Sequence, residues 1–151
     1  MDEIDSALLR LLQQDAHRSN RELASMLHVA ESTCLERTRG LIRRGVVAGV
    51  HAQVDLKKLN RSVQAMVAVR LHPPDRAVIE SFHSFVLELE ETIEVYVTSG
   101  NDDFLIHIAV RDNDHLSDFI LDRLTQRREI VDVRTSVIFR HDRARVVDAL
   151  E

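Results

Sequence analysis

The sequence predicts an α+β chain in two parts: three short helices within the first fifty residues, then a β-α-β-β-α-β succession reaching residue 142. Three observations predict it. Apolar residues recur at helical spacing before Gly45 and alternate every second residue in most of the chain beyond it. Residues that favour helix starts (Asp2, Ser19, Asp75 and Asp114) stand before each long helical stretch except the one beginning near Glu31. Charge is also unevenly shared. Residues 1–60 hold nine Lys/Arg and eight Asp/Glu, a balance of +1, whereas residues 61–151 hold eleven and seventeen, a balance of −6, and these combine to the net −5. Such asymmetry points to different partners for the two parts.

The totals bound the function classes. A chain of 151 residues suits one ordinary domain or two small ones, and 44% hydrophobic with 30% charged residues suits a folded protein. No apolar run approaches the length a membrane helix needs, and the acidic start, Met1-Asp2-Glu3-Ile4-Asp5, lacks the pattern of a secretory signal. A single cysteine, Cys34, excludes an internal disulfide. The expected location is the cytoplasm.

Taken in order, Asp2 caps a helix in which Ile4, Leu8, Leu11 and Leu12 share one face, ending near Gln14. Ser19-Asn20-Arg21-Glu22 has the form of a capping box and opens a helix carrying Leu23, Ala24 and Leu27. His28-Val29-Ala30 is a tight connection. A third helix then runs from about Glu31 to Arg44, with Cys34, Leu35, Thr38, Leu41 and Ile42 on its apolar side and Gly45 as its stop. After Gly45, Val46, Val47, Val50, Ala52 and Val54 read as a bent strand pair or wing. Two helices joined by a short turn and followed by a wing describe a winged helix-turn-helix, whose second helix can enter the major groove of DNA.

That third helix concentrates four arginines. Ser32, Thr33, Glu36 and Arg37 are assigned to base edges, because a carboxylate accepts from the cytosine amino group and a guanidinium donates to guanine. Arg39, Arg43 and Arg44 are assigned to phosphates, and Arg21 reaches the backbone from the preceding helix.

Beyond a polar hinge at Asp55–Arg61, Ala65, Val67, Val69 and Leu71 alternate as a half-buried strand should. Pro73-Pro74 ends it. Asp75 begins a helix bearing Ile79, Phe82, Val86 and Leu89. Ile93, Val95 and Val97 form the second strand, and Phe104, Ile106, Ile108 and Val110 the third. Asp114 caps a helix with Leu116, Phe119, Ile120 and Leu124. Val131, Val133, Thr135, Val137 and Phe139 make the last strand. This order is the split βαβ, or ferredoxin-like, unit. It covers one sheet face with helices and leaves the other bare, with Met66, Ala68, Tyr96, Leu105, His107, Ala109 and Ile138 on it. A two-fold homodimer would cover that face and pair two reading helices.

Gly100 lies between the middle strands in "TSGNDDFLIHI". A hairpin's need for positive φ is one reason for a glycine there. A site for a small zwitterion is the other: backbone N–H groups of the turn for a carboxylate, and Asp102 or Asp103 for an ammonium. An enzyme is the competing class, with Cys34 as nucleophile and one of the eight histidines as base. Cys34 falls on the apolar side of its helix, the histidines are scattered from His17 to His141, and there is no phosphate-cradling glycine loop, so no catalysis is expected.

In their order, "DEIDSALLRLLQQDAHRSNRELA", "CLERTRGLIRRGVVAG" and "VTSGNDDFLIHIAV" resemble the Lrp/AsnC family of feast/famine regulators over nearly the whole chain. The resemblance implies a transcription regulator that dimerises through its C-terminal domain, often builds octamers, and binds an amino acid at subunit interfaces. The family's G-x-x-D-[YF] turn matches Gly100, Asp103 and Phe104, and the effector site it implies comprises Thr98, Gly100, Asn101, Asp102 and Asp103. No cofactor or metal is expected. Three positions depart from the pattern: Ala30 replaces a capping Ser or Thr, Gly40 replaces a charged residue, and Asn101 replaces an aspartate. The expected organisation is a winged helix-turn-helix at 1–50, a linker strand and hinge at 51–61, a βαββαβ dimerisation and effector domain at 62–142, and a tail at 143–151. The alternative function is a ligand-independent architectural protein that wraps DNA as a multimer.

Overall fold

The computed structural model describes residues 1–150. The chain divides into two compact units, one formed by Met1–Gln53 with the segment from Asp142 onward, the other by Val54–His141.

The first unit holds α1 (Glu3–Gln14), α2 (Asn20–Leu27) and α3 (Glu31–Arg43). Each start follows from local chemistry. Asp2 caps α1 by accepting from the Asp5 backbone N–H at 2.8 Å. Ser19 and Glu22 complete the reciprocal capping box at α2. His28 closes α2 in the left-handed conformation at φ 54°, and Gly45 adopts φ 70° just beyond α3. Ala30 offers α3 no side-chain cap, but the Asn20 amide donates to the Glu31 carbonyl at 2.8 Å and ties the two helices at their turn. Leu8, Leu23, Ala24, Cys34 and Leu41 form the core of this unit.

Several expectations for this unit need correction. Leu35 and Ile42, placed by periodicity on the buried side of α3, are 39% and 55% exposed. The two other short helices cover only a narrow stripe of α3, centred on Cys34 and Leu41. The stretch read as a wing contains no strand, and Val46, Val50 and Val54 are exposed. An isolated two-stranded ribbon is marginal in water, and no neighbouring strand supports this one. The segment set apart as a tail instead packs on α1: the Gln13 side chain exchanges two hydrogen bonds with the Val147 backbone, at 2.9 and 3.0 Å, and Arg10 pairs with Asp148 at 2.6 Å.

The second unit holds β1 (Val63–Leu71), α4 (Arg76–Glu88), β2 (Thr92–Val97), β3 (Phe104–Val110), α5 (Asn113–Asp118) and β4 (Ile130–Val137), preceded by a 3₁₀ turn at Leu56–Leu59. The sheet order is β2-β3-β1-β4 with antiparallel neighbours throughout, which is the ferredoxin-like arrangement. Ala65, Val67, Val69 and Leu71 of β1 and Phe104, Ile106, Ile108 and Val110 of β3 face the helices. They pack on Phe82, Val86, Leu116, Phe119 and Leu124. Phe82 meets Phe104 edge-on at 4.8 Å.

Two boundaries differ from expectation. Asp112, not Asp114, caps α5 by accepting from the His115 N–H at 2.8 Å. Helix α5 then continues as a π-helical stretch, Phe119–Leu124. The wider winding returns residues five apart to one side, which buries Phe119 and Leu124 together. The last strand stops at Val137, leaving Phe139 98% exposed, because the final ladder bond runs from the Ile138 N–H to the Gln64 carbonyl.

The register places Met66 opposite His107, Ala68 opposite Leu105 and Tyr96 opposite Leu105 on the face that carries no helix. His107 is buried there. One of its ring nitrogens lies 3.0 Å from the Gln64 side-chain oxygen, and its ring lies 5.8 Å from that of His141. Burial holds the His107 imidazole below its ordinary pKa, against the opposing pull of Glu94.

Candidate nucleic-acid interface and effector turn

The arginines of α3 divide into two pairs. Arg37 donates through Nη1 to Asp2 at 2.6 Å and to Asp5 at 2.9 Å, and Arg44 donates through Nη2 to the other Asp5 oxygen at 2.8 Å. Asp5 is buried, so one carboxylate bridges two guanidiniums and one guanidinium bridges two carboxylates. The Arg44 hydrogen bond is the main cause of the lowered Asp5 pKa, and the Asp5 backbone N–H followed by Arg37 lowers that of Asp2. Arg37, expected to read a base edge, therefore faces α1 and closes the flank of the core of the first unit (the head); Arg44, expected on phosphate, lies beside it. Their sequence signal was available. Asp5 precedes Leu8 by three and Leu12 by seven, on the apolar face of α1, and a charge in that position calls for a cationic partner.

Arg39 and Arg43 point away from that cluster. Ser32, Thr33, Glu36, Arg39 and Arg43 are all exposed on the polar side of α3, and Arg21 is exposed on α2. Arg43 and Glu36 pair at 2.9 Å with both side chains 66% exposed. That hydrogen bond holds the Glu36 carboxyl below its ordinary pKa. Such an exposed pair contributes little to stability and can be exchanged for contacts to a ligand. Cys34 is fully buried, and burial pushes its thiol pKa up, so it fills the core.

In the second unit, Gly100 adopts φ 123°, a conformation closed to other residues without strain, while a Cβ there would meet no atom within 4 Å. Backbone geometry alone accounts for the glycine. The turn is braced from both sides. The Thr98 hydroxyl donates to the Asp102 carbonyl at 2.7 Å, and the Thr98 N–H donates to the Asp103 carbonyl at 2.9 Å. Asp102 takes two hydrogen bonds from Arg134, at 2.5 and 2.6 Å, and Asp103 Oδ2 accepts from the Leu71 N–H at 2.7 Å. Asp102, one of the two expected to meet an ammonium, is thus engaged by β4. Asp103 keeps one carboxylate oxygen without a protein partner among the described residues.

An open recess of about 500 Å³ lies beside this turn, lined by Arg70, His72, Gly100, Asn101 and Asp103 among others. Arg70, His72 and Arg134 were not among the expected site residues. Strand alternation puts Arg70 and Arg134 on the bare face, but only the pairing register brings β1 and β4 to this turn.

Two family models match the chain: an AsnC-type helix-turn-helix domain over residues 1–42 and an Lrp/AsnC ligand binding domain over residues 64–145. The HTH-type transcriptional regulator AldR of Mycobacterium tuberculosis is 35% identical over 141 residues, covering 93% of this chain and 79% of that protein. The leucine-responsive regulatory protein of Escherichia coli is 32% identical over 138 residues, covering 91% and 84%. A transcriptional regulator from Neisseria meningitidis, solved in complex with L-Met, superposes with a TM-score of 0.87 at 25% identity, covering 95% of this chain and 93% of that one.

Proposed function

Because this chain belongs to the Lrp/AsnC family of transcriptional regulators, we propose that it binds specific double-stranded DNA sequences as a homodimer and that a small effector modulates that binding. Membership also sets it outside the enzymes. No helix among the described residues is long and apolar enough to cross a membrane, and we place its action in the cytoplasm.

The observation that carries the reading is the polar side of α3. Ser32, Thr33 and Glu36 stand at its N-terminal end, where a reading helix meets base edges, and Arg39 and Arg43 follow toward the phosphates. Arg21 supplies a further phosphate contact. Arg37 and Arg44 hold the helix at its angle. The bare sheet face supports a dimer, and dimers assembling further to octamers would lay several reading helices along one duplex.

An amino acid is the effector we favour. Its carboxylate would meet the turn N–H groups of Gly100 and Asn101 with Arg70 nearby, and its ammonium the open oxygen of Asp103. The L-Met complex of the Neisseria regulator, so similar in fold, supports this class of ligand.

The test combines DNA binding with thermal shift across the twenty amino acids. A ligand at about 100 times its Kd adds about 2.7 kcal/mol of stability. Asp103→Asn keeps an acceptor for the Leu71 N–H but removes the charge, so it should abolish the ligand response and leave DNA binding intact. An undiminished response rejects the pocket. No shift with any amino acid favours the ligand-independent architectural reading. Met66→Glu should convert the dimer to monomers in light scattering, and an unchanged mass rejects the proposed interface.

A further inference from the structure

A second recess in this unit, about 570 Å³ and open to solvent, lies at the end of the sheet opposite the Gly100 turn, where β3 finishes and β2 begins. Its floor is apolar, with Ala109 and Phe119 buried beneath it. Arg61, Arg111 and Arg123 stand on its wall, and so do Glu90, Glu91, Asp118 and Asp122. Most of these charges are unspent. Among the described residues, the Arg111 and Arg123 guanidiniums have no carboxylate partner, and Glu90, Asp118 and Asp122 have no cationic one.

The recess is also where irregular backbone converges. Asn60, in the left-handed conformation at φ 58°, lines one side, and the π-helical stretch that carries Phe119, Asp122 and Arg123 lines another. Such windings concentrate at functional sites because they re-aim side chains that an α-helix would place elsewhere. At the back, Glu91 is buried at 5% exposure and pairs with His115 at 3.1 Å, while the Arg61 guanidinium donates to the Ala109 carbonyl at 3.1 Å. The rear wall is thus braced by paired groups, and the rim carries free ones.

We propose that this recess is a second small-molecule site, built for a zwitterion of amino-acid or dipeptide size. The argument is electrostatic. A simple anion would meet the free aspartates and a simple cation the free arginines, and each would lose on one side what it gained on the other. A bipolar solute uses both: its carboxylate accepts from Arg111 and Arg123, and its ammonium donates to Asp118 and Asp122. The volume is in the range of small-ligand pockets. The site stands apart from the Gly100 turn and does not depend on an effector binding there.

The test is hydrogen exchange by mass spectrometry on the full-length protein. The zwitterionic probes are L-glutamate, L-arginine, L-leucine and glycylglycine, with acetate and ethylamine as singly charged controls. At least one zwitterion should slow exchange across residues 109–124, and neither control should match it. The double variant Arg111→Gln/Arg123→Gln, checked for an unchanged melting temperature, should weaken that protection by about tenfold or more in ligand concentration. It should leave any response at residues 98–103 unaltered. Protection confined to 98–103, no protection with any zwitterion, or equal protection by acetate alone would overturn the proposal. So would a double variant that responds like the parent.

Discussion

The division of the α3 arginines makes a quantitative prediction about salt. If Arg21, Arg39 and Arg43 of each protomer meet phosphate, a dimer neutralises about six of them, and log K against log salt should have a slope of about −5. Were Arg37 and Arg44 also on DNA, the total would be about ten and the slope about −9. Between roughly 50 and 200 mM salt these correspond to affinity losses of about 10³-fold and about 10⁵-fold, which fluorescence anisotropy separates easily. Arg43→Ala removes two contacts per dimer and should lower the slope by about 1.8. Arg37→Ala should leave the slope unchanged. It should instead lower the melting temperature of the head, since Asp5 keeps only Arg44 and Asp2 keeps no guanidinium. A parental slope near −9 would refute the division. So would an Arg37→Ala variant that loses slope as Arg43→Ala does while melting like the parent.

The remaining predictions concern stability. Gly40 lies within α3 and a Cβ there would meet nothing within 4 Å, so Gly40→Ala should stabilise the head by about 1 kcal/mol in denaturant titration. A simultaneous loss of DNA affinity would show that Gly40 marks a close approach to the duplex. Gly100→Ala is strained by backbone alone and should cost about 1–3 kcal/mol; a variant as stable as the parent would mean the turn relaxes freely. Acid should act in two steps. The lowered His107 pKa means the unfolded state takes up its proton first, so sheet-unit stability falls as pH drops below about 6.5 and the fall stops once folded His107 protonates. The lowered Asp2 and Asp5 pKa values contribute stability that is complete above about 3.8 and is lost as pH falls through their folded values. His107→Gln should remove the first step in pH-dependent melting and leave the second, and a first step that persists assigns it to another group.

How much was legible in advance followed the range of the interaction. The capping box at Ser19 and Glu22, the Asp2 and Asp75 caps, the left-handed stop at Gly45 and the alternation of Val67, Val69, Ile106 and Ile108 are all written within a few residues. Where a local rule had two satisfactory answers, the expectation slipped. Both Asp112 and Asp114 are competent caps, and the first is used because the helix must place Leu116 and Phe119 under the sheet. The valines after Gly45 alternate like a strand, but alternation describes which side chains could be buried and supplies no partner strand.

The candidate sites show the same limit. The sequence alone determined which charges were present and on which helical or strand face each stood, because 100° per residue in a helix and two-residue alternation in a strand are properties of the backbone. Only the tertiary structure decided how those charges were spent. Packing α1 on α3 brought Asp5 within 2.9 Å of Arg37 and Arg44 and engaged both with α1 carboxylates, on the flank away from Arg39 and Arg43. Pairing β1 with β4 brought Arg134 to Asp102 and closed one of the two aspartates of the turn. Linear spacing shows that Asp5, on the apolar face of α1, needs a cation, but which residues thirty or more positions away supply it depends on distance in space.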